Sequence, residues 1–427
     1  MQIDTTEGTA IRHAGRAALA AALAASRVDT LRTFDAYVQA LGAPDVAVPY
    51  RADINPPLWE LGHIGWFQEF WIGRNPQRSR GAAADPEAQR PDSLRACGDA
   101  LYNSSHVAHA SRWHLPLPGI AATRDDLARQ GAQTQALLAA EPDESDATLY
   151  FYRLALAHED MHHEAAVYMA RTLGFDLPDA RWQPATLGLP TRPLDVPAGA
   201  WSLGHDGPGF QFDNERRHQP ADGHAYAIDS QVVRWAEWRA FVADGGYSDA
   251  RLWTPQGWHW RQATGRDGPR ALRRDGVGVG DSGWQLRTGA GWAPLDEAGR
   301  ADQAACHISQ HEALAYCAWA GRRLPTEAEW ERAAHAHPAD FQWGQVWEWT
   351  ASAFAPFTGF EPHPYRDYSQ PWFDGRPVLK GGAWATQPRM KHPRYRNFFT
   401  ADRTDIVAGL RTCARHSSLI PSRTPPA

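Results

Sequence analysis

The chain has 427 residues, with 43 basic and 49 acidic side chains and a net charge of −6, so it is long enough for two domains of ordinary size. No block of basic residues suits nucleic acid or an anionic membrane, and no apolar run approaches the roughly 20 residues of a membrane helix. The four cysteines lack the spacing of a metal site or a disulfide scaffold. We therefore expect a soluble, cytoplasmic protein with reduced thiols that acts on small molecules.

The first part of the chain contains four segments of helical composition, separated by polar breaks. These predicted helices span residues 17–40, 57–72, 123–140 and 145–173. A four-helix bundle is the simplest arrangement, and such bundles hold metals through side chains that project inward from facing helices. The long segment 73–122 has little periodicity, and we expect it to be a crossover that reaches over such a site.

Two histidines in the last of these segments, His158 and His162, are four residues apart and therefore share one face of the helix. Imidazoles placed in this way can bind one metal ion, and His63, in a Trp-rich segment upstream, is the best candidate for a third ligand. With Glu159, the pair also matches the H-E-x-x-H motif of zinc proteases. That motif is short, and no further protease ligand follows at the usual spacing.

The character of the chain changes after a proline-rich linker. Beyond it, the sequence predicts short strands, glycine turns and aromatic anchors, with two helices at residues 234–242 and 311–320. Residues 262–300 form an irregular, Gly- and Arg-rich insertion in this prediction. We therefore predict an α+β protein with two domains.

Several motifs of the second half resemble the formylglycine-generating-enzyme, or sulfatase-modifying, family. They are FDNER at 212–216, AYCAWAGRRLPTEAEWE at 315–331, VWEWT at 346–350, KGGAW at 380–384 and GLR at 409–411. The resemblance implies a C-type-lectin-like domain with little regular structure. Many members of this family are not catalytic in that domain, so the motifs predict a fold rather than an activity.

The first half resembles the DinB-like four-helix bundle, and the two halves in this order resemble the ergothioneine sulfoxide synthase family. The resemblance implies a helical bundle that carries an iron site (residues 12–175), a linker (176–196), a sulfatase-modifying-factor-like domain (197–415) and a tail (416–427). Members of this family are non-haem iron enzymes. They use O2 and a thiol to join sulfur to the imidazole C2 of hercynine, the Nα-trimethylated form of histidine.

The family's ligand pattern is one histidine on an early helix and H-x3-H-x-E on a later one, and it matches His63, His158, His162 and Glu164. The resemblance implies an Fe(II) site with three histidine ligands and O2 as a co-substrate. Glu164 would be a structural residue or would orient the metal-bound imidazoles without binding the metal. We expect His163, which points away from the shared face, to lie at the surface.

Four further positions match substrate-binding residues of the family. Asn397 aligns with a residue that contacts hercynine, and Phe398 is expected to pack against the trimethylammonium group by cation–π attraction. Arg112 falls where the family has a basic residue for the carboxylate of the sulfur donor. Met161 replaces a glutamine between the two ligand histidines. From sequence alone, Asn397 and Phe398 could instead be core residues of the fold, and Arg112 could be a solvated surface residue. The sequence predicts no proton donor.

The chain departs from the family at the residues that handle the thiol. Phe354 and Phe357 occupy the region where a tyrosine is expected to donate a proton or an electron. The segment Ser105-His106 replaces a pair of tyrosines, and Phe399 replaces an aspartate. These changes resemble the selenoneine synthase branch, which joins selenium from a selenosugar to hercynine.

The leading hypothesis from sequence is therefore an Fe(II)- and O2-dependent enzyme that forms a carbon–selenium bond between a selenosugar and hercynine. One alternative is ergothioneine sulfoxide synthesis with cysteine or γ-glutamylcysteine as the sulfur donor. Another is a non-catalytic binding module, and a metalloprotease is the weakest. None of these functions involves nucleic acid or a membrane.

Overall fold

The structure is a computed structural model that describes residues 5–275 and 283–415. The helices of the N-terminal half are α1 (Thr5–Arg12), α2 (Arg16–Leu41), α3 (Pro57–Gln68), α4 (Gly98–Tyr102), α5 (Ile120–Ala140) and α6 (Asp146–Leu173). Helices α2, α3, α5 and α6 pack against one another as the predicted four-helix bundle. Helix α3 continues into a π-helical turn at Glu69–Gly73.

Helix α6 is long because its sequence has clear start and stop signals. The side chain of Ser145 caps its N-terminus by accepting a hydrogen bond from the backbone N–H of Thr148 at 3.2 Å. Gly174 ends the helix in the left-handed conformation, with φ of 96°. The helix lies between α2, α3 and the C-terminal half, so it is buried on more than one face.

The C-terminal half combines four helices with short strands. The helices are α7 (Trp235–Ala243), α8 (Pro255–Thr264), α9 (Gln310–Trp319) and α10 (Glu327–Ala336). The strands are β1 (Pro193–Val196), β2 (Trp201–Leu203), β3 (Gln219–Ala221), β4 (Tyr226–Asp229), β5 (Leu272–Arg274), β6 (Trp284–Thr288), β7 (Gly291–Pro294), β8 (Arg322–Arg323), β9 (Trp347–Ala353), β10 (Pro377–Lys380), β11 (Asn397–Phe398), β12 (Ala408–Gly409) and β13 (Cys413–Ala414).

These strands form four small sheets, with the orders β1-β4-β13-β8, β11-β10-β9-β12, β2-β3 and β5-β6-β7. In the second sheet, β9 and β10 are antiparallel with Leu379 opposite Trp349, whereas β12 joins β9 in parallel. A helical bundle followed by a loop-rich sheet domain confirms the predicted α+β, two-domain fold.

Residues of the motifs that resemble the sulfatase-modifying family form the centre of the C-terminal half. The Glu348 carboxylate on β9 accepts hydrogen bonds from Trp330 Nε1 at 2.7 Å and from Arg411 Nε at 2.8 Å, and all three side chains are fully buried. Breaking a buried, fully hydrogen-bonded ion pair by removing one partner costs about 3–5 kcal/mol. These motif residues therefore hold the fold together, as the resemblance implied.

The two halves share one continuous apolar core, and polar contacts fix their relative position. Arg389 donates two hydrogen bonds to Asp160 on α6, at 2.7 and 2.6 Å. One turn further along, Glu164 accepts a hydrogen bond from Trp347 Nε1 at 2.5 Å. Arg12 of the first helix pairs with the buried Glu215. Thus Asp160 and Glu164 lie on a face of α6 that contacts the C-terminal half, and His158 and His162 lie on a different face.

The structure corrects the sequence prediction in two places. The insertion at 262–300 is not irregular, because its described part contains the end of α8 and the three-stranded sheet β5-β6-β7. Helices α1, α4, α8 and α10 were not predicted. The predicted tail at 416–427 lies outside the described residues. Within the described part, no helix has the length and apolar character needed to cross a membrane.

Candidate metal centre

Three histidines meet in the core of the bundle. The Nε2 atom of His158 lies 3.2 Å from Nε2 of His63 and 3.1 Å from Nε2 of His162. Helix α3 supplies His63, and α6 supplies the other two from successive turns of one face. Two nitrogens bound to one metal at ~2.1 Å and at a right angle lie ~3 Å apart, so these separations suit a shared ion. The structure therefore brings the three predicted ligands together.

The outward nitrogens of two rings have defined partners. Nδ1 of His63 lies 2.8 Å from the backbone carbonyl oxygen of Tyr102, which can only accept, so this nitrogen carries the proton. Nδ1 of His162 contacts the Glu60 carboxylate in the same way. In a neutral imidazole with Nδ1 protonated, Nε2 carries the lone pair. Both inward nitrogens are therefore set as metal ligands by partners in the bundle.

The pKa values of His63 and His158 favour neutral imidazoles. Burial, followed by the charge of His162, lowers the pKa of His63 to about 3. Burial, followed by the charges of His162 and His63, holds the pKa of His158 well below its usual value. Burial alone would raise the pKa of Glu60, but His162, His63 and Asn55 hold it down to about 2, so this carboxylate is ionised.

These observations test whether a metal fits. Nε2 of His158 lies at hydrogen-bond distance from the Nε2 atoms of His63 and His162, but a single proton can bridge only one of these pairs. A metal cation can accept all three lone pairs at once. Among the described residues, Nδ1 of His158 has no hydrogen-bond partner, and its ring is held by stacking on Phe67, with 3.5 Å between ring centroids. Within the described residues, these three form a cluster of metal-ligating type with no carboxylate among them, so a bound metal would keep open positions.

Comparisons with known proteins show the family to which this chain belongs. The sulfatase-modifying factor enzyme 1-like domain matches residues 190–345 and 339–416, and the DinB superfamily matches residues 28–169. The hercynine oxygenase of Mycobacterium tuberculosis is 32% identical over 92% of this chain and 97% of that protein. The hercynine oxygenase of Mycolicibacterium smegmatis is 30% identical over 93% of this chain and 98% of that protein. This chain belongs to the hercynine oxygenase family.

More distant similarities cover the C-terminal half of this hercynine oxygenase family member. The formylglycine-generating enzyme of Thermomonospora curvata is 29% identical over 46% of this chain and 72% of that protein. The solved structure of PvdO from Pseudomonas aeruginosa covers 52% of this chain and 93% of its own, with 17% identity and a TM-score of 0.33.

One residue beside the histidines of this family member differs from expectation, and a second takes one of the two roles expected of it. His163 is buried rather than at the surface, because α2 and Trp182 cover that face of α6, and its Nε2 lies 3.0 Å from the Thr33 hydroxyl. Glu164 contacts Trp347 of the C-terminal half and orients none of the three imidazoles; burial raises its pKa to about 7. The carboxylate that does contact a histidine is Glu60, which the sequence prediction missed. Its position one turn before His63 on an apolar helix was the available signal.

Glu159 is not available as a general base at this centre. Its carboxylate accepts hydrogen bonds from Arg27 Nε at 2.8 Å and from Gln68 Nε2 at 2.8 Å, and it is fully buried. A zinc-protease mechanism needs that carboxylate beside the metal-bound water. The structure therefore gives no support to the protease alternative.

The predicted substrate residues lie in three places. Arg112 stacks over Trp59 at 3.9 Å and donates to the side chain of Asn55 at 2.8 Å. Met161 is half-buried on α6, between His158 and His162 in sequence. In the C-terminal half, Asn397 and Phe398 form strand β11.

The aromatic residues near Phe398 occupy part of the expected binding surface. Phe354 stacks on Phe398 with 4.0 Å between centroids, so one face of that ring is covered. The guanidinium of Arg396 lies 4.9 Å from the Phe354 ring and 4.0 Å from the Phe357 ring. Arg396 in turn pairs with the buried Glu327 at 2.7 Å. Phe354 and Phe357 are thus packed within the C-terminal half.

Tyr365 is the tyrosine that the structure brings to the histidines. Its ring centroid lies 6.2 Å from that of His158 and 5.0 Å from that of Phe67, both edge to face. It belongs to a loop without periodicity, so the sequence prediction missed it. Burial raises the pKa of its hydroxyl, which therefore keeps its proton at neutral pH.

A cavity of about 270 Å³ opens beside Tyr365 and Phe67, between the bundle and the C-terminal half. Its aromatic lining residues are Trp66, Phe67, Phe70, Trp71 and Tyr365. Its polar and charged lining residues are Glu87, Asn103, Ser104, Ser105, His106, Arg366 and Asp367. Because Phe67 and Tyr365 also contact His158, the cavity adjoins the metal centre.

Proposed function

We propose that this protein is a non-haem iron enzyme that uses O2 to modify the imidazole ring of hercynine. The observation that carries the proposal is the convergence of three imidazole nitrogens in a chain that is similar to hercynine oxygenases over nearly its whole length. Imidazole ligands would leave coordination positions of a bound Fe(II) open, which suits O2 and an anionic selenium or sulfur donor.

The residues of the chain prepare this site. His63, His158 and His162 would hold the Fe(II), which when bound supplies the activation of O2. Tyr102 and Glu60 fix two of the rings through Nδ1, and stacking on Phe67 fixes the third. Since His63 and His158 are buried in the bundle, bulk water is largely excluded from their side of the site.

The proposal keeps Asn397, Phe398, Arg112 and Met161 as substrate-binding residues, on the strength of the family resemblance. The face of Phe398 that is not stacked on Phe354 is the one available to a trimethylammonium group. Met161 offers a polarizable, uncharged side chain near the two ligand histidines of α6.

We propose further that the donor is a selenosugar. The cavity beside His158 supports this, because aromatic rings stack on the apolar C–H faces of a sugar while serine, asparagine and histidine side chains can bond its hydroxyls. The short Ser105 and His106 leave room where the family has paired tyrosines.

A donor competition tests both levels of the proposal. Protein with Fe(II), O2 and hercynine is offered a selenosugar and, in separate reactions, cysteine and γ-glutamylcysteine, and the products are read by mass spectrometry. We expect a selenium adduct at the imidazole C2. A sulfoxide conjugate would assign the protein to ergothioneine synthesis instead. Iron binding without product from any donor would favour the non-catalytic binding module.

A pair of variants tests the sugar cavity. Ser105→Tyr fills the space beside His106, so we expect the KM for the selenosugar to rise about tenfold or more while the KM for hercynine stays unchanged. Ser105→Ala removes the same hydroxyl but keeps the space, and we expect a much smaller effect. Equal effects of the two variants would show that the cavity does not hold the donor.

A further inference from the structure

The insertion forms a second, separate pocket against the end of helix α6. The sheet β5-β6-β7 packs beside the last turn of that helix and encloses a small cavity of about 30 Å³. Its polar lining residues are Arg171, Thr172, Arg270, Arg287, Thr288 and His307. Three guanidinium groups, from α6, from the loop before β5 and from β6, therefore face one space.

The positive charges around this pocket are only partly compensated. Arg171 pairs with Asp176, with Nε 3.2 Å from the carboxylate. The nearest carboxylate to Arg270 is Asp53 at 3.7 Å, and Arg51 already holds that carboxylate at 2.9 Å.

Arg287 has no ion-pair partner within the described part of the chain. Its guanidinium lies 5.6 Å from the ring of Trp292. The other carboxylate near the pocket, Asp405, is engaged by Arg403 through two hydrogen bonds of 2.6 Å. The pocket thus presents more guanidinium groups than carboxylates.

Other lining groups are arranged as in a binding site. Arg270 Nη2 donates to the Thr172 hydroxyl at 3.2 Å, which fixes the direction of its planar fork. His307 adopts the left-handed backbone conformation, with φ of 60°, although it is not a glycine. Such strain costs on the order of 1–3 kcal/mol and persists only where the surroundings hold the residue in place. Burial, followed by the charges of Arg171 and Arg270, lowers the pKa of His307 to about 3.

We propose that this pocket binds a small oxyanion of the phosphate class. Guanidinium groups bind such oxyanions through two parallel N–H donors. A bound anion would neutralise the positive charge that Asp53, Asp176 and Asp405 do not compensate. The bound anion would tie the end of α6, the helix that carries His158 and His162, to the insertion. Arg171 lies nine residues beyond His162, about 13 Å along the helix, so the site is distinct from the metal centre.

The test uses the full chain without metal, because the proposal does not depend on iron. Binding is measured by calorimetry and by the shift of thermal unfolding with inorganic phosphate and with a sugar phosphate, against chloride at equal ionic strength. We expect one site per chain and a rise in Tm with either phosphate but not with chloride. Tighter binding of the sugar phosphate would identify an organic ligand, and tighter binding of inorganic phosphate would identify the free ion.

A matched pair of variants identifies the pocket. Arg287 and Arg273 both contact the ring of Trp292, but only Arg287 lines the pocket. Arg287→Ala should weaken phosphate binding about tenfold or more, Arg287→Lys should weaken it less, and Arg273→Ala should leave it unchanged. The metal content of all three should equal that of the wild type. Phosphate that stabilises no more than chloride, or equal losses in Arg287→Ala and Arg273→Ala, would overturn the proposal.

Discussion

Replacement of Glu60 by glutamine tests how the bundle sets the metal ligands. Glu60 is buried and ionised, with its pKa held at about 2, and it contacts Nδ1 of His162 and the side chain of Asn55. Glu60→Gln keeps the shape but removes the charge that fixes the His162 tautomer. Loss of such an outer partner lowers metal affinity about 10–100-fold, which is about 1.4–2.7 kcal/mol. The assay is an anaerobic titration of Fe(II) against a competing chelator.

Glu159→Gln is the matched control for this prediction. Glu159 is a buried carboxylate next to the ligand His158, but it bonds Arg27 and Gln68 and none of the histidines. We expect this variant to lower the free energy of unfolding while its Fe(II) affinity stays within about twofold of the wild type. If Glu60→Gln bound Fe(II) as tightly as the wild type, or if Glu159→Gln lost as much affinity, the assigned role of Glu60 would be refuted.

Three further predictions concern the C-terminal half. Tyr365→Phe should lower kcat about tenfold or more in the donor assay with unchanged iron content, because it removes only the hydroxyl of the tyrosine whose ring contacts His158. An unchanged kcat would show that the hydroxyl takes no part in the reaction. Burial raises the pKa of Asp213 to about 6, so the folded state holds the proton more tightly and the free energy of unfolding should fall by up to about 3 kcal/mol as pH rises from 4 through 6. Urea unfolding should show a flatter pH profile for Asp213→Asn, and an unaltered profile would contradict this assignment. Trp347→Phe should cost about 1–3 kcal/mol in denaturant titrations by leaving the Glu164 carboxylate unsatisfied, and a smaller loss would show that water replaces the indole.

The sequence predicted the features that depend on local periodicity. Spacing of four residues on a helix placed His158 and His162 on one face, and the predicted segment 145–173 agrees with α6 to within one residue. His63 was chosen from its Trp-rich helical segment, and the family resemblance gave the same residue. It lies 95 residues earlier and comes close to His158 only through packing of α3 against α6.

Features that depend on tertiary packing escaped prediction. Helical spacing correctly predicted that His163 points away from the face shared by His158 and His162. Spacing alone does not show that α2 and Trp182 cover the face on which His163 lies. For Glu164 the sequence left open a structural role and a role in orienting the imidazoles, and only the packing of α6 against the C-terminal half distinguishes them. Tyr365 comes from a loop more than 200 residues from His158, and no local pattern reports that distance.

The most direct test of the central claim is the Fe(II) content of anaerobically reconstituted protein with single substitutions. We predict one Fe(II) per chain for the wild type and for His163→Ala, whose side chain contacts Thr33 rather than the centre. His63→Ala, His158→Ala and His162→Ala should each lose the iron while retaining the helical circular dichroism spectrum. Stoichiometric iron in any of these three variants, or none in the wild type, would contradict the three-histidine centre.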